Sequence, residues 1–197
     1  TQTLIGTALD ISGDIDVDGT SNLDIIDVDG AANFAADVTI ATGADLITAS
    51  AGTSNTRVGV NTGNSIASGG NYNVFVGDEA GTATTTGDNN VAIGYAALDA
   101  ATNSSNLTAI GYNALTALTA TGDNLSTAVG AQALAALTNG FHNVAVGYGS
   151  LDASTHGERN IAVGRDALGA DTKGNYSTAI GDATLSTQNF TSDTNVY

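Results

Sequence analysis

The sequence predicts an all-β fold, a parallel β-solenoid or β-roll with rungs of about 17 residues, assembled as a trimeric fibre. Three observations carry that expectation. A phrase of ten residues, "NNVAIGYAAL" at 89–98, returns as "NLTAIGYNAL", "LSTAVGAQAL", "HNVAVGYGSL", "RNIAVGRDAL" and "YSTAIGDATL". The glycine inside it recurs at Gly77, Gly94, Gly111, Gly130, Gly147, Gly164 and Gly181, with Gly59 as a degenerate start, in steps of 18, 17, 17, 19, 17, 17 and 17 residues. Self-similarity at such a period marks a stacked array of identical units. Finally, the 197 residues include 25 Gly, only 5% aromatics and no Pro, Cys, Met or Trp. An interior of that composition is assembled from thin layers of small side chains and has no disulfide staple or thiolate metal site.

Each part of the repeat has a reading. Before the glycine stands Val or Ile, at Val76, Ile93, Ile110, Val129, Val146, Val163 and Ile180. One step earlier stands Ala in every unit but one, where Phe75 takes its place. Neighbouring residues of a strand point to opposite faces, so the β-branched column is expected to fill the coil's own interior. The Ala and Gly column then admits another backbone, either the opposite wall of a flat coil or a neighbouring chain. Leu98, Leu115, Leu134, Leu151, Leu168 and Leu185 form a second apolar column. The "YAALDA" segments that contain it read as a short second strand or one turn of helix. Between the columns lie Gly, Asn, Thr and Asp clusters with turn chemistry, including Gly70, Gly87, Gly140, Gly157 and Gly174 at a second left-handed or tight corner. The two-residue insertion before Gly130 belongs in a loop. Residues 57–185 are thus expected to stack as seven or eight rungs.

Along the chain, residues 1–56 read as an acidic β-rich shaft segment, 57–72 as a transition, and 73–197 as the repeats proper. The first segment carries nine aspartates and no basic residue before Arg57, with Ile and Val alternating against Asp as in strands with one wet face. Asp14, Asp16 and Asp18 followed by Gly19 spell D-x-D-x-D-G, the opening of a calcium loop, but Ile25 stands where the closing bidentate Glu belongs. Solvated acidic strand edges are the plainer account, and calcium is the single cofactor considered.

Charge narrows the partners. Four Lys and Arg against 20 Asp and Glu give a net charge of −16, a poor surface for nucleic acid or anionic membranes. No apolar run approaches the roughly 20 residues that span a bilayer, so no membrane insertion is expected. No nucleophile elbow, phosphate loop or zinc-binding helix motif occurs, and no carboxylate pair stands out for glycoside hydrolysis, so the chain reads as a non-enzyme. His142 and His156 lie in neighbouring corners, where exposed corner histidines are commoner than a metal pair. Glu158, Arg159, Arg165 and Asp166 read as surface ion pairs.

The units "NNVAIGYAAL" and "NIAVGRDAL", alternating with "TTGDNN" and "THGERN" corners, resemble the head repeats of trimeric autotransporter adhesins. That resemblance implies a left-handed parallel β-roll with three chains to a head. The leader "TALDISGDIDVDG" is similar to shaft-like segments of marine phage tail fibres, which implies a virion fibre that mediates host attachment, with other fibre or baseplate proteins and a host-surface glycan or protein as partners. The alternative is the head of a bacterial trimeric surface adhesin, located on the cell surface. A narrow coil with few aromatics hides little surface alone, which also points to a parallel homotrimer. Candidate receptor contacts are Tyr95, Tyr112 and Tyr148, which follow the repeat glycine and can hold sugars or pack between rungs or subunits, and the variable corners at Phe141, His142, His156, Arg159 and Tyr176.

Overall fold

The computed structural model describes residues 50–189, and every structural statement below concerns those residues. They contain no helix. Ten short strands occur: β1 (Thr56–Val58), β2 (Val74–Val76), β3 (Val91–Ile93), β4 (Ser104–Ser105), β5 (Thr108–Ile110), β6 (Gly122–Asp123), β7 (Thr127–Val129), β8 (Val144–Val146), β9 (Ile161–Val163) and β10 (Thr178–Ile180). Eight of them form one parallel sheet in the order β1-β2-β3-β5-β7-β8-β9-β10, while β4 and β6 pair beside it. The expected parallel β-solenoid is the fold. Its register is strict, with Ile93 beside Ile110, Ile110 beside Val129, Val129 beside Val146 and Val146 beside Val163. Segment 57–72 completes the first rung, because β1 pairs with β2. Eight strands at the ordinary spacing of about 4.8 Å span about 34 Å from first to last.

The two faces of the sheet are the reverse of the expected ones. Ala92, Ala109, Ala128, Ala145 and Ala162 are 0% exposed, whereas Ile93 is 37% and Ile180 69% exposed. The small column lines the interior and the β-branched column faces outward. The coil is flat, and its depth is filled from the opposite wall by Leu98, Leu115, Leu134, Leu151 and Leu168, all fully buried. A Leu on one wall leaves room for only a methyl on the other. Phe75 confirms the rule by inversion, since opposite it stands Gly81, whose missing Cβ would lie 2.6 Å from the Phe75 ring.

The segment after the repeat glycine is neither strand nor helix but a run of turns. It reverses direction through left-handed residues, among them Leu98, Leu115, Leu134, Leu151 and Leu168 at φ between 52° and 58°. The repeat glycines lie at φ between 128° and 136°, a region closed to side chains, and a Cβ on Gly94 would fall 2.7 Å from the Gly111 carbonyl oxygen. The second set of glycines has a different purpose. Gly70, Gly87, Gly140, Gly157 and Gly174 are not among the positive-φ residues, and left-handed geometry falls two residues later, at Tyr72, Asn89, His142, Arg159 and Tyr176. At the corner itself Gly is required by approach: a Cβ on Gly157 would lie 2.9 Å from the Gly174 oxygen.

A polar column seals that corner. Asn73, Asn90, Asn143 and Asn160 are fully buried just before their strands. The Asn90 carboxamide accepts from Leu107 N–H (3.0 Å) and donates to the Ser104 carbonyl (2.9 Å), and Asn160 likewise accepts from Ser177 N–H (2.9 Å) and donates to Gly174 (2.6 Å). Each amide thus bridges two rungs and satisfies backbone groups the strands leave over. In the rung with the insertion the task is divided: Ser126 Oγ accepts from Asn143 N–H, and Asn124 donates to the Gly140 carbonyl.

Candidate functional site

Two clusters of exposed and half-buried side chains flank the outer face of the sheet, and the described sequence candidates other than His156 divide between them. The first follows the repeat glycine. Backbone bonds from Asn113 to Tyr95, Gln132 to Tyr112, Gly149 to Ala131 and Asp166 to Tyr148 fix one position per rung, so Tyr95, Tyr112, Ala131, Tyr148, Arg165 and Asp182 stand in a column. Tyr95 and Tyr112 stack with centroids 5.6 Å apart and planes 15° from parallel. Below them a hydrogen bond to the Glu79 carboxylate, aided by the Glu79 and Asp78 charges, raises the Tyr95 hydroxyl above its ordinary 10.0 and holds it protonated. Above them Arg165 is clasped by Asp166 (2.6 Å) and Asp182 (2.9 Å), chiefly Asp182, which keeps the guanidinium charged and occupied.

The second cluster sits at the corner that precedes the strands. The Arg159 guanidinium lies 5.1 Å from the centroid of Phe141 and 5.4 Å from that of Tyr176, and its Nη1 donates to the Tyr176 hydroxyl (3.1 Å) and the Glu158 carboxylate (3.3 Å). His142 meets Phe141 edge to face at 5.0 Å. A cation between two rings presents a mixed aromatic and polar surface to solvent. His156 belongs to neither cluster: its Nδ1 pairs with Thr155 Oγ1 at 2.9 Å, and the rung neighbour of His142 in the stack is Arg159 rather than His156.

Chemically both clusters are suited to binding. Among the described residues no group of three His, Asp or Glu side chains is placed to hold a metal. The calcium candidates Asp14, Asp16 and Asp18 lie outside the described residues. Sequence reasoning missed the buried Asn column and the partnership of Phe75 with Gly81. The first was legible as Asn73, Asn90, Asn143 and Asn160, spaced by 17, 53 and 17 residues, the 53 being three periods plus the two-residue insertion, within polar corners where turn chemistry masked it. No family model, curated protein or solved structure matches the chain.

Proposed function

We propose that this chain is a structural fibre protein of a phage virion, a tail fibre that mediates attachment to the host cell as a parallel homotrimer. The observation that carries the assembly is the outer face of the parallel sheet. Parallel sheets are ordinarily covered on both faces, yet here the outward β-branched columns are left uncovered, with Val58, Val74, Ile93, Ile161 and Ile180 exposed and Val76, Ile110, Val129, Val146 and Val163 half-buried between them. A surface of that kind supports burial against identical copies, and three copies would align the exposed clusters for multivalent contact with a host glycan or protein. The hydrogen-bonded stack supplies stiffness, and its repeated positions are apolar or amide rather than catalytic, which favours a scaffold over an enzyme. The leader's resemblance to phage fibres favours the virion over the bacterial surface. Electron microscopy with antibody against the chain tests the location: labelled fibres on virions support the proposal. Labelled envelopes of phage-free bacteria overturn it in favour of the adhesin head. Purified protein that competes with phage for adsorption supports attachment, and failure to compete reduces the chain to a spacer.

A further inference from the structure

The tyrosine column has a gap. Rings occupy its positions at Tyr95, Tyr112 and Tyr148, but the rung between the last two carries Ala131. The stacked pair of Tyr95 and Tyr112 shows how rings lie in this column, nearly parallel to one another along the axis. Where Ala replaces Tyr, one ring's worth of space is left open. Tyr112 and Tyr148 are two rungs apart, which sets their backbones about 9.6 Å apart at the ordinary strand spacing, and they are 53% and 55% exposed. A flat aromatic ring held between two faces needs only about 7 Å, two van der Waals contacts of about 3.5 Å. A puckered sugar ring adds its own thickness and needs about 8 to 9 Å on the same contact distances.

The walls suit the same guest. Ala131 floors the gap, Val129 ends the strand on one side, and the half-buried amide side chains of Asn113 and Gln132 occupy the next position along the turn in their rungs. Aromatic residues on the two flanking rungs, with amide residues at the next turn position, match a ring whose C–H bonds point to its faces and whose hydroxyls lie round its rim. Charge decides the class of sugar. Asp78 and Glu79 lie beyond the stacked tyrosines, Arg165 is paired with Asp166 and Asp182, and the chain carries −16, so an acidic sugar must compete with two carboxylates for the nearest cation and meets a repulsive field.

We propose that a neutral pyranose residue of a glycan binds in the gap above Ala131, its two faces against Tyr112 and Tyr148. The inference deepens the attachment reading by naming the receptor chemistry, and rests on that reading for its biological role. The full chain is titrated with methyl β-D-galactopyranoside, methyl β-D-glucopyranoside and methyl α-D-mannopyranoside, with N-acetylneuraminic acid as the acidic comparison. Saturation-transfer NMR and the tyrosine ring signals are followed. Millimolar binding of at least one neutral pyranoside is expected, as befits a single ring. Ala131→Tyr completes the column without altering the rung and should weaken binding at least about tenfold at an unchanged melting temperature, and Tyr148→Ala should do the same by removing one face. No binding of any neutral pyranoside, undiminished binding by Ala131→Tyr, or preference for the acidic sugar overturns the proposal. Phage adsorption competition separates it from the attachment reading. If wild-type protein competes and Ala131→Tyr does not, both stand. If both proteins compete equally, the gap is not the receptor contact although attachment holds. If neither competes, attachment fails and the titration still decides whether the gap binds sugar.

Discussion

Gly94 lies at φ 128° with the Gly111 backbone directly above it, so two independent constraints meet at one atom. Substitution by Ala forces a residue into dihedral space that costs about 1–3 kcal/mol, and adds a contact of 2.7 Å with a carbonyl that cannot move without breaking the stack. Gly94→Ala is expected to destabilise the protein by about 3 kcal/mol or more in urea unfolding. Gly122→Ala, where a Cβ meets nothing within 4 Å, should cost only the dihedral term of about 1 kcal/mol. Equal losses at the two positions would show that packing between rungs adds nothing. Titration is also set residue by residue. Burial, reinforced by the Asp166 charge, raises the Asp152 carboxyl above its ordinary 3.8, with its own backbone hydrogen bonds opposing in part. Burial, then the Glu79 charge, raises Asp99 in the same direction. A raised carboxyl binds its proton more tightly folded than unfolded, so its penalty is full above the raised value and vanishes below 3.8. The melting temperature should therefore rise as pH is lowered from neutral into the window just above 3.8, and Asp152→Asn should flatten that slope. A slope unchanged by Asp152→Asn removes this account of it.

At the scale of the rung, wall-to-wall volume is what the sequence conserves. Six inner-wall alanines face a leucine wall, and the exceptional rung reverses the pair by setting Phe75 against Gly81. Phe75→Ala alone should cost about 3–5 kcal/mol by opening a cavity. Gly81→Leu alone should be severely destabilising, because the new side chain meets the Phe75 ring. The double variant Phe75→Ala/Gly81→Leu copies the neighbouring rungs, whose Leu98 adopts φ 58° against the 60° of Gly81. It should recover most of the loss, a coupling of a size seen only between residues in contact. Additive losses in a thermal or urea double-mutant cycle would refute the volume rule. The same pair shows what was legible in the sequence. The period, the strand at each Val or Ile and the parallel stack follow from spacing alone. The inward face did not, because hydrophobicity favours Ile over Ala for the interior, whereas a coil only one Leu deep admits no second large side chain. Nor did the turns of "YAALDA", since Leu in left-handed geometry contradicts its intrinsic preference and is held there by burial. Of the candidate binding residues, the Tyr95 and Tyr112 pairing was legible as a column. The Arg159 sandwich was not, because Phe141, Arg159 and Tyr176 occupy two different positions of the rung.

For the whole molecule, the exposed β-branched face and the charge of −16 pull in opposite directions. Covering one column of Val and Ile and a second in which Val and Ile share the strand starts with Thr removes apolar surface at about 25 cal/mol per Å², while bringing three such chains together concentrates like charge. The first effect is short-ranged and unaffected by modest salt, and the second is screened within about 10 Å at 0.1 M ionic strength. A homotrimer is therefore expected to be tight at physiological salt and looser in dilute buffer. Light scattering should return three times the 19.4 kDa chain mass at the higher salt, with lighter species emerging as salt is withdrawn. Ile110 lies in the middle of the outward column, paired with Ile93 and Val129 on either side. Ile110→Glu places a charge at the centre of the proposed interface yet outside the rung's own core, whose residue at that strand is Ala109. The variant should run as a monomer and retain the β-type circular dichroism of the wild type. Ala109→Glu, one residue earlier, should instead unfold the rung, because its side chain enters the leucine wall. Trimers that persist in Ile110→Glu would move the interface off this face, and a wild-type monomer at every salt concentration would leave the outer columns without the partner their exposure calls for.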